Sequence, residues 1–503
     1  MPYTVLSASI QGIDARAVSV QIDSSPGIHS LAIVGLGDKA VQESQDRINA
    51  AIRNSGLVHP RAKNRRFTVN LAPADLKKEG SAFDLPIAVA YLLESRQLRC
   101  AVQETLFAGE LALDGSVSAT NGVLSMAIFA ANSGYRRIMV PRENAPEAAF
   151  AGNIEVIGVS SLTEAVAHMS GATPLEPASS DDTAVPEKVN DSYAYIAGQE
   201  TAKRALVIAA AGGHNLMMKG PPGSGKTILA RAITGLMPPL SRPEAIEVAK
   251  IYSSVGLLKA SPAALERPFR SPHHTASPVS VVGGGAWPRP GEISLAHRGV
   301  LFLDEFPEFA RNVLEALRQP LEDGVVSISR ASGSCTLPAD FLLVGAMNPC
   351  PCGNYGDPKT VCECAPAQIS RYTKKVSGPL LDRMDIQISV PRETVGTANR
   401  APGEIRQFHE ARNAVREARN RQAGRLKPLG VLTNSGVNHR DIARYCPLDG
   451  NAQTFLESVV NAKNLSLRSY HRMCRVARTI ADLEGAELTQ KHHAAEAAAL
   501  RIR

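Results

Sequence analysis

The stretch GPPGSGKT, residues 220–227, constrains the fold of this 503-residue chain more than any other feature. It fits the pattern GxxxxGK[ST] between an apolar run, HNLMMK, and a helix-compatible run, TILARAITGL, the strand–loop–helix context a phosphate-binding loop requires. Gly220, Pro221, Pro222, Gly223, Ser224 and Gly225 make the loop. Its glycines let backbone N–H groups close on phosphate oxygens, and the helix N-terminus adds a favourable field. Lys226 is placed to reach the β- and γ-phosphates of ATP, and Thr227 to ligate Mg²⁺.

Two further apolar runs end in polar residues. GVLFLDEF, residues 299–306, presents Asp304 to hold Mg²⁺ through water and Glu305 as a base that polarises an attacking water. FLLVGAMN, residues 341–348, ends at Asn348, placed to orient that water, although an Asn before Pro also forms turns. Three such strands predict an α/β fold, a doubly wound parallel sheet with its site at the strand C-termini.

The rest of the chain divides around that core. ATPLEPASSDDTAVPEKVND offers little to a core and reads as a linker, so the expected division is 1–171, linker 172–192, ATPase core 193–395 and a helical region 396–503. In the first part, AVSVQID and FTVNLA alternate like strands, while KAVQESQDRINAAIRNSG has helical spacing and a Gly stop. With 44% apolar and 20% charged residues, no apolar run of about 18 residues and no basic start to the chain, the expectation is a cytoplasmic protein without a membrane span. Residues 401–503 hold 17 Lys and Arg against 10 Asp and Glu, which accounts for the whole net charge of +7. Such a region suits nucleic acid or another polyanion, or is simply a solvated helix surface.

Eight cysteines in so long a chain are no disulfide framework. Four of them, Cys350, Cys352, Cys362 and Cys364, lie in MNPCPCGNYGDPKTVCEC, where thiolates at this spacing would close a tetrahedral Zn²⁺ site. Free thiols and a redox role are the alternatives. A zinc here would be structural, because the hydrolytic ion is hard and prefers oxygen. Two segments are candidates for touching a polymer: the irregular stretch 271–294, which carries Arg289, and a hairpin at 324–341, with its turn near 332–334, which carries Arg330. His273 and His274 in the first of these read as ordinary polar contacts.

GPPGSGKT, PRPGEISLAHRGVLFLDE, AMNPCPCG, GPLLDRMDI and RSYHRMCRVARTIADLEG together resemble the ComM/YifB family, AAA+ ATPases related to the motor subunit of magnesium chelatase. The resemblance implies an AAA+ P-loop sheet with a C-terminal helical lid, a homohexameric ring, and a sensor 1 role for Asn348. It also implies that Arg383 is the arginine finger reaching a neighbour's nucleotide, and that Arg468 is the sensor 2 arginine, with Arg472, Arg475 and Arg478 competing for that role. The implied activity is a DNA translocase driving branch migration of recombination intermediates in natural transformation.

NLAPADLKKEGSAFDLPIA and FAGELALDGSVSATNGVLSMAIFAANSGYRRIMVP are similar to the proteolytic domain of Lon, a ribosomal S5 domain 2-like fold. Ala82 and Leu124 stand where that family has its nucleophilic serine and its lysine, so peptidase activity is not expected. The remaining alternative is a chelatase-type motor that remodels a partner protein. The resemblance sets it second, on the ground that the chelatase motor lacks such an N-terminal domain.

Overall fold

A computed structural model of the chain describes residues 3–28, 30–35, 39–62, 64–78, 80–179, 190–258, 262–285, 288–330, 333–357, 360–393 and 405–501. The chain divides into two compact units, Met1–Pro186 with Ser241–Leu265, and Glu187–Leu240 with Glu266–Arg503.

The first unit is built on a mixed seven-stranded sheet, in the order Ser30–Val34, Arg65–Ala72, Asp14–Pro26, Tyr3–Gln11, Thr105–Phe107, Arg137–Pro141 and Glu155–Val159. Alternation drives it: in Asp14–Pro26 the side chains of Val18, Val20 and Ile22 are buried while the residues between them are less so. The helix expected from KAVQESQDRINAAIRNSG runs Lys39–Asn54, and Gly56 at φ 72° ends the turn that follows. Helix Asp84–Glu94 is buried along nearly all its length. Its first residue, Asp84, is satisfied there by Ser44, by Arg47 Nε at 2.7 Å and by the Leu111 N–H at 3.2 Å.

Helix Arg242–Ser254 also belongs to this unit, although the sequence reading counts it within 193–395. Its end is tied down by the Gly122 N–H donating to Ser253 O at 3.0 Å and by Ser253 Oγ donating to Glu147 at 2.5 Å. Burial pushes the Glu147 carboxyl above its usual range, and the Ser253 hydroxyl opposes that shift. Lys250 pairs with Asp14 at 2.6 Å.

The second unit holds the expected parallel sheet, in the order Phe269–Arg270, Val300–Leu303, Leu342–Met347, Leu216–Lys219 and Ile386–Ser389. Every residue of Val300–Leu303 and of Leu342–Met347 is buried, as expected for parallel strands covered on both faces. In register, Lys219 lies opposite Met347 and Leu303 opposite Gly345, so the three sequence-predicted strands end at one edge. Regular structure in residues 405–501 is helical, with Ile405–Leu426, Gly450–Ala462, Leu467–Glu484 and Lys491–Ala499 the longer elements. Ala418, Val476 and Ile480 of these helices join one core with Leu206 and Ile208 of helix Glu200–Gly212. Of the expected boundaries, 180–189 and 394–404 lie outside the described residues. Among the described residues no helix is long and apolar enough to cross a membrane.

Part of the basic excess of the C-terminal region is drawn into the fold. Arg425 and Arg478 converge on the fully buried Asp482 at 2.8 and 2.7 Å. Arg419 donates to Ala210 O at 2.6 Å, Arg421 to Asp482 O at 2.6 Å and Arg501 to Met384 O at 2.6 Å. These guanidinium groups serve packing, whereas Arg406, Arg416, Lys427, Arg440, Arg444, Lys463, Arg468 and Lys491 are exposed, so the +7 is only partly consumed inside the fold.

Candidate nucleotide site

The P-loop follows strand Leu216–Lys219 and feeds helix Lys226–Leu236. Gly223 at φ 75° and Gly225 at φ 86° occupy the left-handed region, which a side chain would strain. A Cβ on Gly220 would lie 2.1 Å from Val390 O, so the loop must be bare where it passes the next strand's end. Lys226 folds back over this cradle, its Nζ donating to Gly220 O at 2.8 Å, Pro221 O at 2.9 Å and Asn348 Oδ1 at 3.3 Å. Burial lowers its pKa and Asp304 opposes that shift. Ser224 Oγ is buried without a hydrogen-bond partner. An orphaned hydroxyl, a lysine held on carbonyl oxygens, and a helix N-terminus fit a polyphosphate.

Thr227 Oγ1 donates to Asp304 Oδ2 at 3.0 Å, bringing together the two oxygens that would hold Mg²⁺. Glu305 follows at φ 50°, a left-handed backbone unusual for a glutamate, and its N–H donates to Asp304 Oδ1 at 2.9 Å. His274 Nδ1 lies 3.1 Å from Glu305 Oε2. Sequence reasoning took His274 for an ordinary loop contact. The signal was its place in the long stretch 271–294, but nothing in the sequence aims that stretch at Glu305.

Lys226, Thr227, Asp304, Glu305 and Asn348 thus share one edge of the sheet, whereas Arg383 and Arg468 do not join them. Arg383 precedes strand Ile386–Ser389, at the edge where strands begin. Four residues of strand, roughly 13 Å, separate the two edges. There the buried Arg383 pairs with Glu322 at 2.6 Å and donates to Pro379 O at 2.8 Å, and Arg468 meets the same Glu322. Asp385, fully buried, sits beside them, paired with Arg472 and accepting the Asn215 N–H at 3.1 Å, with His214 Nδ1 at 3.7 Å. Burial opposes ionisation of Asp385, but Arg472, His214 and Arg475 outweigh it and hold the carboxyl well below the usual range. Arg289 is exposed on the short strand Arg289–Pro290. Strands Val325–Arg330 and Gly333–Pro338 pair as the expected hairpin, with Gly333 and Ser334, expected in the turn, inside the second strand; the side chain of Arg330 and residues 331–332 lie outside the described residues.

The four cysteine sulfurs lie within 4.8 Å of one another, with Cys350 3.3 Å from Cys352 and each of these 3.6 Å from Cys362. A tetrahedral zinc with Zn–S of about 2.3 Å places its sulfurs about 3.8 Å apart, so the donor set fits. Backbone N–H groups of Cys352 and Tyr355 point at Cys364 and Cys350 sulfurs at 3.4 and 3.3 Å. The cysteine loop leans on the P-loop: a Cβ on Gly353 would meet Pro222 at 2.5 Å, and Arg392 joins Asp357 at 3.3 Å to Pro222 O at 3.2 Å. A second cluster, Glu484, His492 and His493, is arranged as hydrogen bonds. The Gln490 N–H donates to His493 Nδ1 at 2.9 Å, so the proton sits on Nε2, facing Glu484 at 3.1 Å.

In the first unit, Ala82 and Leu124 are buried, Ala82 within an apolar cluster. The nearby Ser81 hydroxyl bonds Glu110, and Lys78 donates to Pro73 O.

The profile of "Magnesium chelatase, subunit ChlI" matches residues 192–398, that of "Subunit ChlI of Mg-chelatase" residues 20–144, and that of "Magnesium chelatase, subunit ChlI C-terminal" residues 407–501. The chain is 43% identical to the competence protein ComM of Haemophilus influenzae, over 99% of this chain and 97% of that one. It is 42% identical to the YifB protein of Escherichia coli, over 97% and 95%. Identity to the magnesium-chelatase 67 kDa subunit of Heliobacterium mobile is 28% over 32% of this chain and 29% of that one. The match at 20–144 corrects one step of the sequence reasoning: an N-terminal domain does not set this chain apart, since that region too matches a profile named for a chelatase subunit.

Proposed function

We propose that this chain, which belongs to the ComM/YifB family of magnesium-chelatase-like AAA+ proteins, is an ATP hydrolase that works as a homohexameric ring and moves on DNA, promoting branch migration of recombination intermediates in natural transformation. The observation that carries the ATPase reading is the meeting of Thr227 and Asp304 at 3.0 Å beside Lys226, Glu305 and Asn348. In this reading Lys226 and the P-loop bind ATP, Thr227 and Asp304 hold Mg²⁺, Glu305 is the base and Asn348 orients water. Arg383 and Arg468, remote from their own P-loop, serve the nucleotide of a neighbouring subunit, where cations complete the site on assembly. The C-terminal helices act as a lid, and the first unit is a Lon-protease-like domain without its dyad. The competence role rests on the relative's name, with Arg289 and Arg330 as DNA contacts. The deciding experiment is the ATPase rate with and without single-stranded, duplex and four-way-junction DNA. Stimulation several-fold, lost as salt rises, is the expected result. A hexamer that hydrolyses ATP but ignores every DNA at low salt would favour the second reading, a chelatase-type motor remodelling a protein, which the profile matches also support.

The cysteine cluster is assigned a structural Zn²⁺ held by Cys350, Cys352, Cys362 and Cys364. Protein purified without chelator should carry about one zinc per chain by elemental analysis. Cys350→Ser combined with Cys352→Ser should lose the metal, melt at lower temperature and bind ATP more weakly, because the loop it closes supports Pro222. Metal-free protein of normal stability would leave the free-thiol reading.

A further inference from the structure

A cleft of about 760 Å³ opens at the strand-end edge of the second unit's sheet and takes no part in the nucleotide chemistry above. One wall is the turn Phe306–Glu308 and the residues after it, immediately past Glu305, and the other is helix Pro366–Thr373, which begins two residues after Cys364. Four exposed cations line it, Arg311, Arg371, Lys374 and Lys375, against one carboxylate, Glu308. Lys375 takes that carboxylate at 2.7 Å, so the other three face the cleft with no acid left in its lining. Arg371, Lys374 and Lys375 stand at i, i+3 and i+4, the spacing that puts side chains on one face of a helical turn.

We propose that this cleft binds the sugar-phosphate backbone of a nucleic acid strand. The proposal rests on the DNA reading given above and locates a contact for it. Three observations favour a nucleic acid over a protein partner. Lysine is depleted at the centre of protein–protein interfaces, whereas Arg, Lys and Ser are among the side chains that contact phosphate. Two serines, Ser370 and Ser377, complete the polar lining. The one aromatic side chain there, Phe309, is 4% exposed and offers no apolar anchor. A strand seated here would bear on the turn that carries Glu305 at one wall and on the helix tethered to the cysteine cluster at the other, so occupancy has a direct route to the nucleotide site.

The test measures full-length protein binding a fluorescein-labelled oligo-dT by anisotropy across a salt series, with melting temperature followed in parallel. Arg371→Ala combined with Lys374→Ala should weaken binding at least tenfold at moderate salt. It should also flatten the slope of log affinity against log salt by about 1.4, two single-strand phosphate contacts at roughly 0.7 each. Arg371→Lys with Lys374→Arg should retain both. Arg65→Ala with Arg66→Ala removes the same charge from an exposed stretch of the first unit and should leave the slope unchanged. If wild type binds and the alanine pair binds with the same affinity and slope, the cleft is not the contact, while the DNA reading stands. If wild type binds no DNA, both fall. If the alanine pair loses ring assembly by light scattering while assembled rings bind DNA normally, the cleft is a contact with a second copy and the proposal is overturned.

Discussion

Glu305→Gln is expected to bind ATP as well as wild type does and to lose turnover by two to four orders of magnitude, about the worth of a positioned general base. The substitution keeps the side chain's length and leaves the Thr227–Asp304 pair, at 3.0 Å, in place to hold Mg²⁺. Only the group that takes a proton from water is lost. Lys226→Ala should fail differently. With Lys226 gone, the carbonyls of Gly220 and Pro221 it now covers face the phosphates without a cation, so the loss should appear first in nucleotide binding. Single-turnover assays with a fluorescent ATP analogue separate the two failures. Wild-type turnover in Glu305→Gln would move the base elsewhere and leave Asp304 as a metal ligand only.

Asp385→Asn should destabilise the protein by about 3–5 kcal/mol, the cost of leaving one side of a buried ion pair unmatched. Arg472, itself buried, loses its only carboxylate in the ion pairs described, and Arg475 and His214 lose the charge they face. Denaturant unfolding of wild type and variant gives the difference directly. The Asp385 carboxyl is held below its ordinary value, so its stabilisation is present above about pH 4 and is lost only as pH falls through the folded value. The gap between the two proteins should therefore be constant near neutrality and close in acid. Asp385→Leu with Arg472→Met should recover much of the loss, since an apolar pair can replace a buried ionic one. Arg468→Ala, whose side chain is 47% exposed, should cost about 1 kcal/mol or less. Equal stability of Asp385→Asn and wild type would show that this cluster does not hold the sheet to the C-terminal helices.

What could be read in the chain beforehand was whatever one segment settles alone. GPPGSGKT needs its own glycines and its own following helix, and the unbroken apolar runs VLFL and LLVGAM mark strands covered on both faces. The cysteine cluster was legible for the same reason. The fate of the arginines was not. Hydropathy records that a residue is charged, not that Arg383 and Arg468 will share Glu322 at the opposite edge of the sheet, nor that Arg419 and Arg501 will satisfy carbonyls. Those partners are far apart in sequence, and topology alone brings them together. His274 was missed in the same way, because only the fold turns a long Pro-rich stretch back onto Glu305.

The membership of Ser241–Leu265 in the first unit bears on how the protein is made. Synthesis delivers the N-terminus first, so the seven-stranded sheet has left the ribosome while helix Arg242–Ser254 is still unmade. At about 5–20 residues per second, the nascent first unit waits several seconds with the Gly122 N–H and the Glu147 carboxylate unmatched by Ser253. During that delay the P-loop strand and its helix emerge with no sheet to join, since their neighbours Leu342–Met347 and Ile386–Ser389 come later still. The nascent chain therefore passes through a stage in which neither half is closed. Synthesis of helix Arg242–Ser254 lets the first unit close while the second is still being made, and a chaperone that shields Leu216–Lys219 would be most needed in that interval.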